Sequence, residues 1–200
     1  RMRPQKLNDL TIRQAHIGKL QRMIDGKSVM NMLFYGRAGT GKTSAARILI
    51  KEIDADVYEL NGSHNNGDKT MVHGIGDFAT TISMDLRPKI VFIDEADGLT
   101  KDVQAALRNL IENCSERVRF LLTANDETKL TAAIKSRCIP LCFDPQFGEV
   151  EEIVELLAQR YDHALRQEGV QTDTQRVRQI VASRFPDMRG IANALEFEYL

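Results

Sequence analysis

Residues Gly36 to Thr43, GRAGTGKT, satisfy the pattern G-x-x-x-x-G-K-[ST] at each fixed position, and no other string constrains the fold as strongly. The pattern works only as a backbone loop joining a strand to a helix. Its glycines allow close approach to an anion or a turn through positive φ, and the loop amides and helix N-terminus then cradle phosphate. The flanks meet that requirement: the apolar run MNMLFY (30–35) precedes the loop and the helix-like KTSAARILIKEI (42–53) follows it. A glycine turn without a ligand would need neither flank. The cradle comprises Gly36, Arg37, Ala38, Gly39, Thr40, Gly41, Lys42, Thr43 and Ser44. Lys42 is expected to reach the β- and γ-phosphates of a nucleotide, and Thr43 to hold Mg²⁺ through its hydroxyl.

Four further short runs have strand character: DVYEL (56–60), KIVFID (89–94), RFLLTA (119–124) and IPLCF (139–143). Between them VQAALRNLIENC places Val103, Ala106, Leu107, Leu110, Ile111 and Cys114 at three- and four-residue steps, one buried helical face. Strand–helix alternation with fully apolar strands predicts a parallel sheet covered on both sides. After FDPQFGEV (143–150) the pattern is helical throughout. The apolar sets are Ile153, Leu157, Tyr161 and Leu165, then Val177, Ile180, Val181 and Phe185, then Met188, Ile191, Ala192 and Leu195. Pro186 separates the last two sets, because a helix interior does not accept it. The expectation is an α/β domain over 1–145 and a small three-helix lid over 146–200.

The run KIVFIDEAD ends with two carboxylates at the edge where open α/β sheets bind ligands. Asp94 is expected in the Mg²⁺ shell, while Glu95 polarises a water for in-line attack on the γ-phosphate. Asn125, ending RFLLTAND, is placed to bond the γ-phosphate or that water, or else simply forms a turn. Asn61 in ELNGS admits the same two readings, a restraint on Glu95 or a turn. Gln104 and Arg108 lie one turn apart on the polar face of the helix after Glu95. They either relay a partner's contact to the site or stay solvated, with Arg108 paired to Glu112.

Composition narrows the class without naming it. Over 200 residues, 42% hydrophobic content is enough for a sizeable core, and no apolar run approaches the ~20 residues of a membrane span. The three cysteines, Cys114, Cys138 and Cys142, do not make a disulfide framework or a zinc set. Net charge is −1, so the whole surface is no polyanion binder, yet residues 1–28 carry seven basic side chains against two acidic ones. That patch is a solvated helix face or a surface near phosphates. The start at Arg1 rather than methionine suggests a piece of something longer.

With these strings in place, the chain resembles the AAA+ ATPases, and among them the clamp-loader ATPase subunits. Those are the small subunits of replication factor C and the corresponding subunit of T-even-type bacteriophages. GRAGTGKT is similar to Walker A, IVFIDEAD to Walker B, and LTAN to sensor 1 with Asn125 in the sensing position. RMRP resembles the Arg-Pro lead-in that lies against adenine, which assigns Arg3 and Pro4 to nucleotide binding. KSRC (135–138) resembles the Ser-Arg-Cys signature, making Arg137 a finger inserted into a neighbouring subunit's ATP, and FPDMRGIANALE resembles the helix carrying sensor 2 at Arg189. The family's Val-Gly-Gln after the lead-in is TIR (11–13) here, and the usual Pro-Pro of Walker A is Arg37-Ala38.

The resemblance implies an ATP hydrolase, dependent on ATP and Mg²⁺, that places a sliding clamp on primer–template DNA. Its partners would be other clamp-loader subunits in a five-membered ring, the clamp and the DNA, with no membrane. It would work in the cytoplasm of a bacterium or archaeon, or for a phage, and in a eukaryotic nucleus. Lys69 and His73 are the DNA-facing candidates. The collar domain that closes the ring is not found in these 200 residues. Two alternatives stand beside this reading: another DNA-remodelling AAA+ machine (a helicase loader or Holliday-junction motor), and a scaffold that binds nucleotide without hydrolysing it.

Overall fold

In the computed structural model of the protein the described residues are 4–10, 12–64, 69–83, 87–146 and 148–199, with the side chains of Gln14 and Lys69 left aside. The five strands are β1 (Met32–Tyr35), β2 (Asp56–Asn61), β3 (Lys89–Asp94), β4 (Val118–Ala124) and β5 (Ile139–Cys142). They form one parallel sheet in the order β2-β3-β4-β1-β5. Each sequence-read strand is present, with ends shifted by no more than two residues. The largest shift, at β1, has a local cause. On the β4 side the Asn31 side-chain oxygen accepts from Phe120 N at 2.9 Å in place of a main-chain ladder bond, while Asn31 O accepts from Ile139 N at 2.8 Å; Met30 before it is 48% exposed.

Alternation along the strands sorts the core into two layers. On one face Leu33, Val91, Ile93, Phe120 and Leu122 pack on α3 (Lys69–Thr80), α4 (Lys101–Asn113) and the short α5 (Ala132–Lys135). On the other, Met32, Phe34, Ile90, Phe92 and Leu121 meet α1 (Gln14–Asp25) and α2 (Lys42–Ile53). The helix read after the glycine loop has the expected bounds, since Gly41 at φ 91° starts it and Asp54 at φ 57° closes it. α4 begins two residues earlier than its apolar spacing, because Thr100 Oγ1 accepts from Val103 N and caps it.

Three helices follow the sheet: α6 (Val150–Gln167), α7 (Thr174–Arg184) and α8 (Met188–Tyr199). They share an apolar cluster of their own around Leu157, Leu165, Val177, Val181, Ile191 and Leu195. Pro186 lies between α7 and α8, and Asp187 Oδ1 accepts from Arg189 N and Gly190 N to cap α8. Among the described residues no helix is long and apolar enough to cross a membrane. The three cysteines are free, and burial pushes the Cys138 thiol up to about 12.

Candidate functional site

Because β4 lies between β1 and β3, the sheet order gathers three separate strings at one edge. Tyr35 pairs with Ala124 and Ile93 with Leu122, so Gly36, Asp94–Glu95 and Asn125 all emerge from neighbouring strand ends. Chain order reverses here, between the crossover from β1 to β2 and the later strands, which is where doubly wound sheets open a ligand crevice.

The glycine loop closes around its own lysine. Lys42 Nζ donates to Gly36 O and Arg37 O, each at 2.7 Å, and the buried Thr40 donates from Oγ1 to Arg37 O at 2.9 Å. Burial lowers the Lys42 pKa, and the carboxylates of Asp144, Asp97, Asp94 and Glu95 oppose that effect. The result is an ammonium held inside the loop at the start of α2. Ser44 follows in the first turn of α2, half-buried.

Thr43 and Asp94, 51 residues apart, meet directly: Thr43 Oγ1 donates to Asp94 Oδ1 at 2.9 Å. A hydroxyl and a carboxylate are hard oxygen donors, the set with which Mg²⁺ is held beside phosphates and waters. Thr123 Oγ1 donates to the same Asp94 oxygen at 2.5 Å and accepts from Glu95 N at 2.9 Å. Thr123 was not singled out by the sequence; it falls inside an apolar strand, where a β-branched polar residue is unremarked. Glu95 leaves the strand at φ 54°, ψ 45°, a left-handed conformation that turns the chain at the sheet edge.

Asn125 follows β4 directly and is exposed. The next residue ties this turn to the one after Glu95, since Asp126 N donates to Asp97 Oδ2 at 3.1 Å. Asn61 takes the turn reading: its Oδ1 accepts from Ser63 N and His64 N. Arg189 is exposed in the first turn of α8, beside Met188, whose N–H donates to Gly39 O at 3.0 Å. That bond brings α8 onto the glycine loop. Arg137 lies near the surface and is held by its own chain, with Nε 2.8 Å from Glu112 Oε1, Nη2 on the same oxygen, and Nη1 on Ala133 O.

Those contacts correct the reading of α4. Glu112 pairs with Arg137 rather than Arg108, whose Nε and Nη2 reach Asn109 Oδ1. Gln104 is not solvated; it is 1% exposed. Its Nε2 donates to Leu99 O and Lys129 O at 3.0 and 3.1 Å, and its Oε1 accepts from Thr131 N at 2.8 Å. The signal was its spacing, since Gln104, Leu107 and Ile111 fall on one buried face.

A cleft between the sheet and the C-terminal helices is lined by Ile12, Thr40, Phe143, Ile153, Phe185 and Pro186, among others. Pro4 is described but is not among the residues lining that cleft, and Arg3 lies outside the described residues. No group of three or more His, Cys, Asp or Glu side chains able to hold a metal occurs among the described residues.

Residues 32–143 match the family described as "ATPase family associated with various cellular activities (AAA)". Over 200 residues the chain is 34% identical to the replication factor C small subunit of Haloarcula marismortui, covering 97% of this chain and 59% of that protein. It is also 34% identical to replication factor C subunit 5 of Homo sapiens, over 97% of this chain and 57% of that one. The chain thus spans less than two thirds of these relatives. Among solved structures, the RuvB Holliday junction branch migration motor of Thermotoga maritima superposes with a TM-score of 0.62 at 19% identity, covering 98% of this chain and 72% of that one. At that identity the likeness describes the fold alone.

Proposed function

The chain belongs to the AAA ATPases, and from that premise we propose that it is the ATP-hydrolysing part of a sliding-clamp loader subunit. Two observations support this jointly: the likeness to replication factor C small subunits along 97% of the chain, and the contact of Thr43 with Asp94 at the sheet edge. The contact carries the chemistry. It brings a loop hydroxyl and a strand-end carboxylate, both suited to Mg²⁺, beside a lysine confined within a phosphate-sized loop.

In this reading the triphosphate lies over residues 36–44 and the adenine enters the cleft beside Ile12, Phe143 and Phe185. Lys42 exchanges its carbonyl partners for phosphate oxygens, which it meets as a charge already desolvated by the loop. Thr43 and Asp94 would hold the Mg²⁺, which would supply charge to neutralise the phosphates. Glu95 takes the proton of the attacking water, its main chain fixed by Thr123. Asn125 orients that water or the γ-phosphate, and Arg189 contributes charge from α8. Arg137 acts on a neighbouring subunit's ATP, so hydrolysis depends on assembly; in-trans arginines are worth roughly 10³–10⁵ in rate in GTPases. To do so it must leave Glu112 and Ala133. The C-terminal helices act as a lid, the sheet and lid meeting near residue 145. The assembled subunits would open a clamp around primer–template DNA and release it on hydrolysis.

The test is ATP turnover by the chain assembled with its partner subunits, with and without clamp and primer–template DNA. Stimulation by both together is expected. Turnover indifferent to the clamp would instead indicate another AAA+ machine, and binding without turnover would indicate a scaffold. Glu95→Gln should bind ATP and lose hydrolysis. Arg137→Ala should lose activity only in assemblies, so an equal loss in the isolated chain would refute the finger.

A further inference from the structure

We propose that Asp144 is a positioning residue for the glycine loop, fixing the loop's first turn to the segment that runs from β5 into α6. The inference rests on the nucleotide-binding reading of the loop and adds a residue outside the loop pattern. Asp144 reaches the loop because pairing continues past β5: Phe143 N donates to Tyr35 O at 2.7 Å, which delivers the next residue beside Gly36. There Asp144 Oδ1 accepts from Arg37 N at 2.8 Å. The fit is tight for any side chain at residue 36. A Cβ built on Gly36, at φ +141°, would lie 3.0 Å from Asp144 Oδ1 and 3.1 Å from Asp144 N.

The carbonyl of the same residue bonds a different element. Asp144 O accepts from Arg13 Nη2 at 3.2 Å, and Arg13 also forms an ion pair with Glu149, the residue preceding α6, at 3.5 Å. One residue therefore joins the glycine loop, the start of α1 and the approach to α6. A displacement of the C-terminal helices that moves Asp144 must move the Arg37 amide with it.

The carboxylate has two opposed effects on a bound polyphosphate. As an acceptor it holds the loop in shape through a charge-assisted bond. As an anion it supports the charge of Lys42, ahead of Asp97 and Asp94, yet repels phosphate. Asparagine separates the two, since it keeps the acceptor oxygen and loses the charge. The experiment measures affinity of the chain for a slowly hydrolysed ATP analogue with Mg²⁺ by calorimetry, and hydrogen exchange at the Arg37 amide. Asp144→Ala should weaken binding about tenfold and speed Arg37 exchange, while Asp144→Asn keeps the exchange rate and binds at least as tightly as the parent. Asp144→Ser, whose oxygen falls one atom short, should behave as alanine does and serves if alanine prevents folding. Parental affinity in the alanine or serine variant, or an asparagine variant as impaired as alanine, overturns the proposal. Lys42→Ala separates the two levels. If it loses binding while Asp144→Ala does not, this inference alone falls; a parent chain that binds no nucleotide removes both.

Discussion

Thr123 Oγ1 stands 2.5 Å from Asp94 Oδ1 and 2.9 Å from Glu95 N, donating to the first and accepting from the second. A single hydroxyl thus sets both consecutive acids at the end of β3, one through its side chain and the other through its main chain. Thr43 reaches the same Asp94 oxygen from the glycine loop, so three elements converge on one carboxylate.

Thr123→Val keeps the shape of the side chain and removes both bonds. The Glu95 amide is then left without its acceptor, at a cost of about 1–3 kcal/mol. Urea unfolding should register that loss, and turnover should fall more steeply than nucleotide affinity. Unchanged turnover in a folded variant would remove Thr123 from any part in orienting the acids.

Gln104→Ala withdraws a buried side chain that bridges the turn after Glu95, the segment following Asn125 and the start of α5. Leu99 O, Lys129 O and Thr131 N lose their side-chain partner together, so destabilisation of about 3 kcal/mol is expected. Arg108→Ala, one turn away and exposed, should stay within about 0.5 kcal/mol of the parent. Equal melting temperatures for the two variants would contradict the bridge.

Gly39→Ala should uncouple α8 from the loop. Gly39 adopts φ +80°, which costs a side chain roughly 1–2 kcal/mol, and a Cβ there would sit 2.0 Å from Asp187 Oδ1. Asp187 caps α8, so displacing it disturbs the helix that carries Arg189. ATP affinity should drop more than tenfold, and adding Asp187→Ala should recover part of it because the nearest clash is gone. Simple additivity of the two losses would show that Asp187 and Gly39 are not coupled.

The parts legible in the sequence were those whose cause is local. GRAGTGKT needs a strand before it and a helix after it, and β1 and α2 stand there with helix bounds read correctly from spacing alone. The apolar runs of β1, β3 and β4 became the central strands, buried almost throughout, while β2 and β5 form the more exposed edges. The helix α1 lies in the basic stretch 1–28, read as a solvated helix face or a surface near phosphates, and its buried side was not read. Its buried Ile17, Leu20 and Met23 recur at three-residue steps on a face opposite the exposed Lys19 and Arg22.

What escaped the sequence has partners far along the chain. Gln104 is satisfied by residues up to 27 positions away, Thr123 meets Asp94 across 29, and Arg13 bonds Asp144 O across 131. No helical or strand period links such positions. Arg137 shows the same limit, since its string resembles that of a finger but says nothing of the carboxylate holding it, Glu112, 25 residues upstream.

By itself the sequence determined the class of fold, the glycine loop between strand and helix, and the strand that ends in Asp94 and Glu95, because each follows from spacing within one element. Only the tertiary structure decided which polar groups hold those acids and that loop in place. Hydrogen bonds are satisfied by proximity in space, and the strand order β2-β3-β4-β1-β5 creates that proximity between segments that chain order keeps apart.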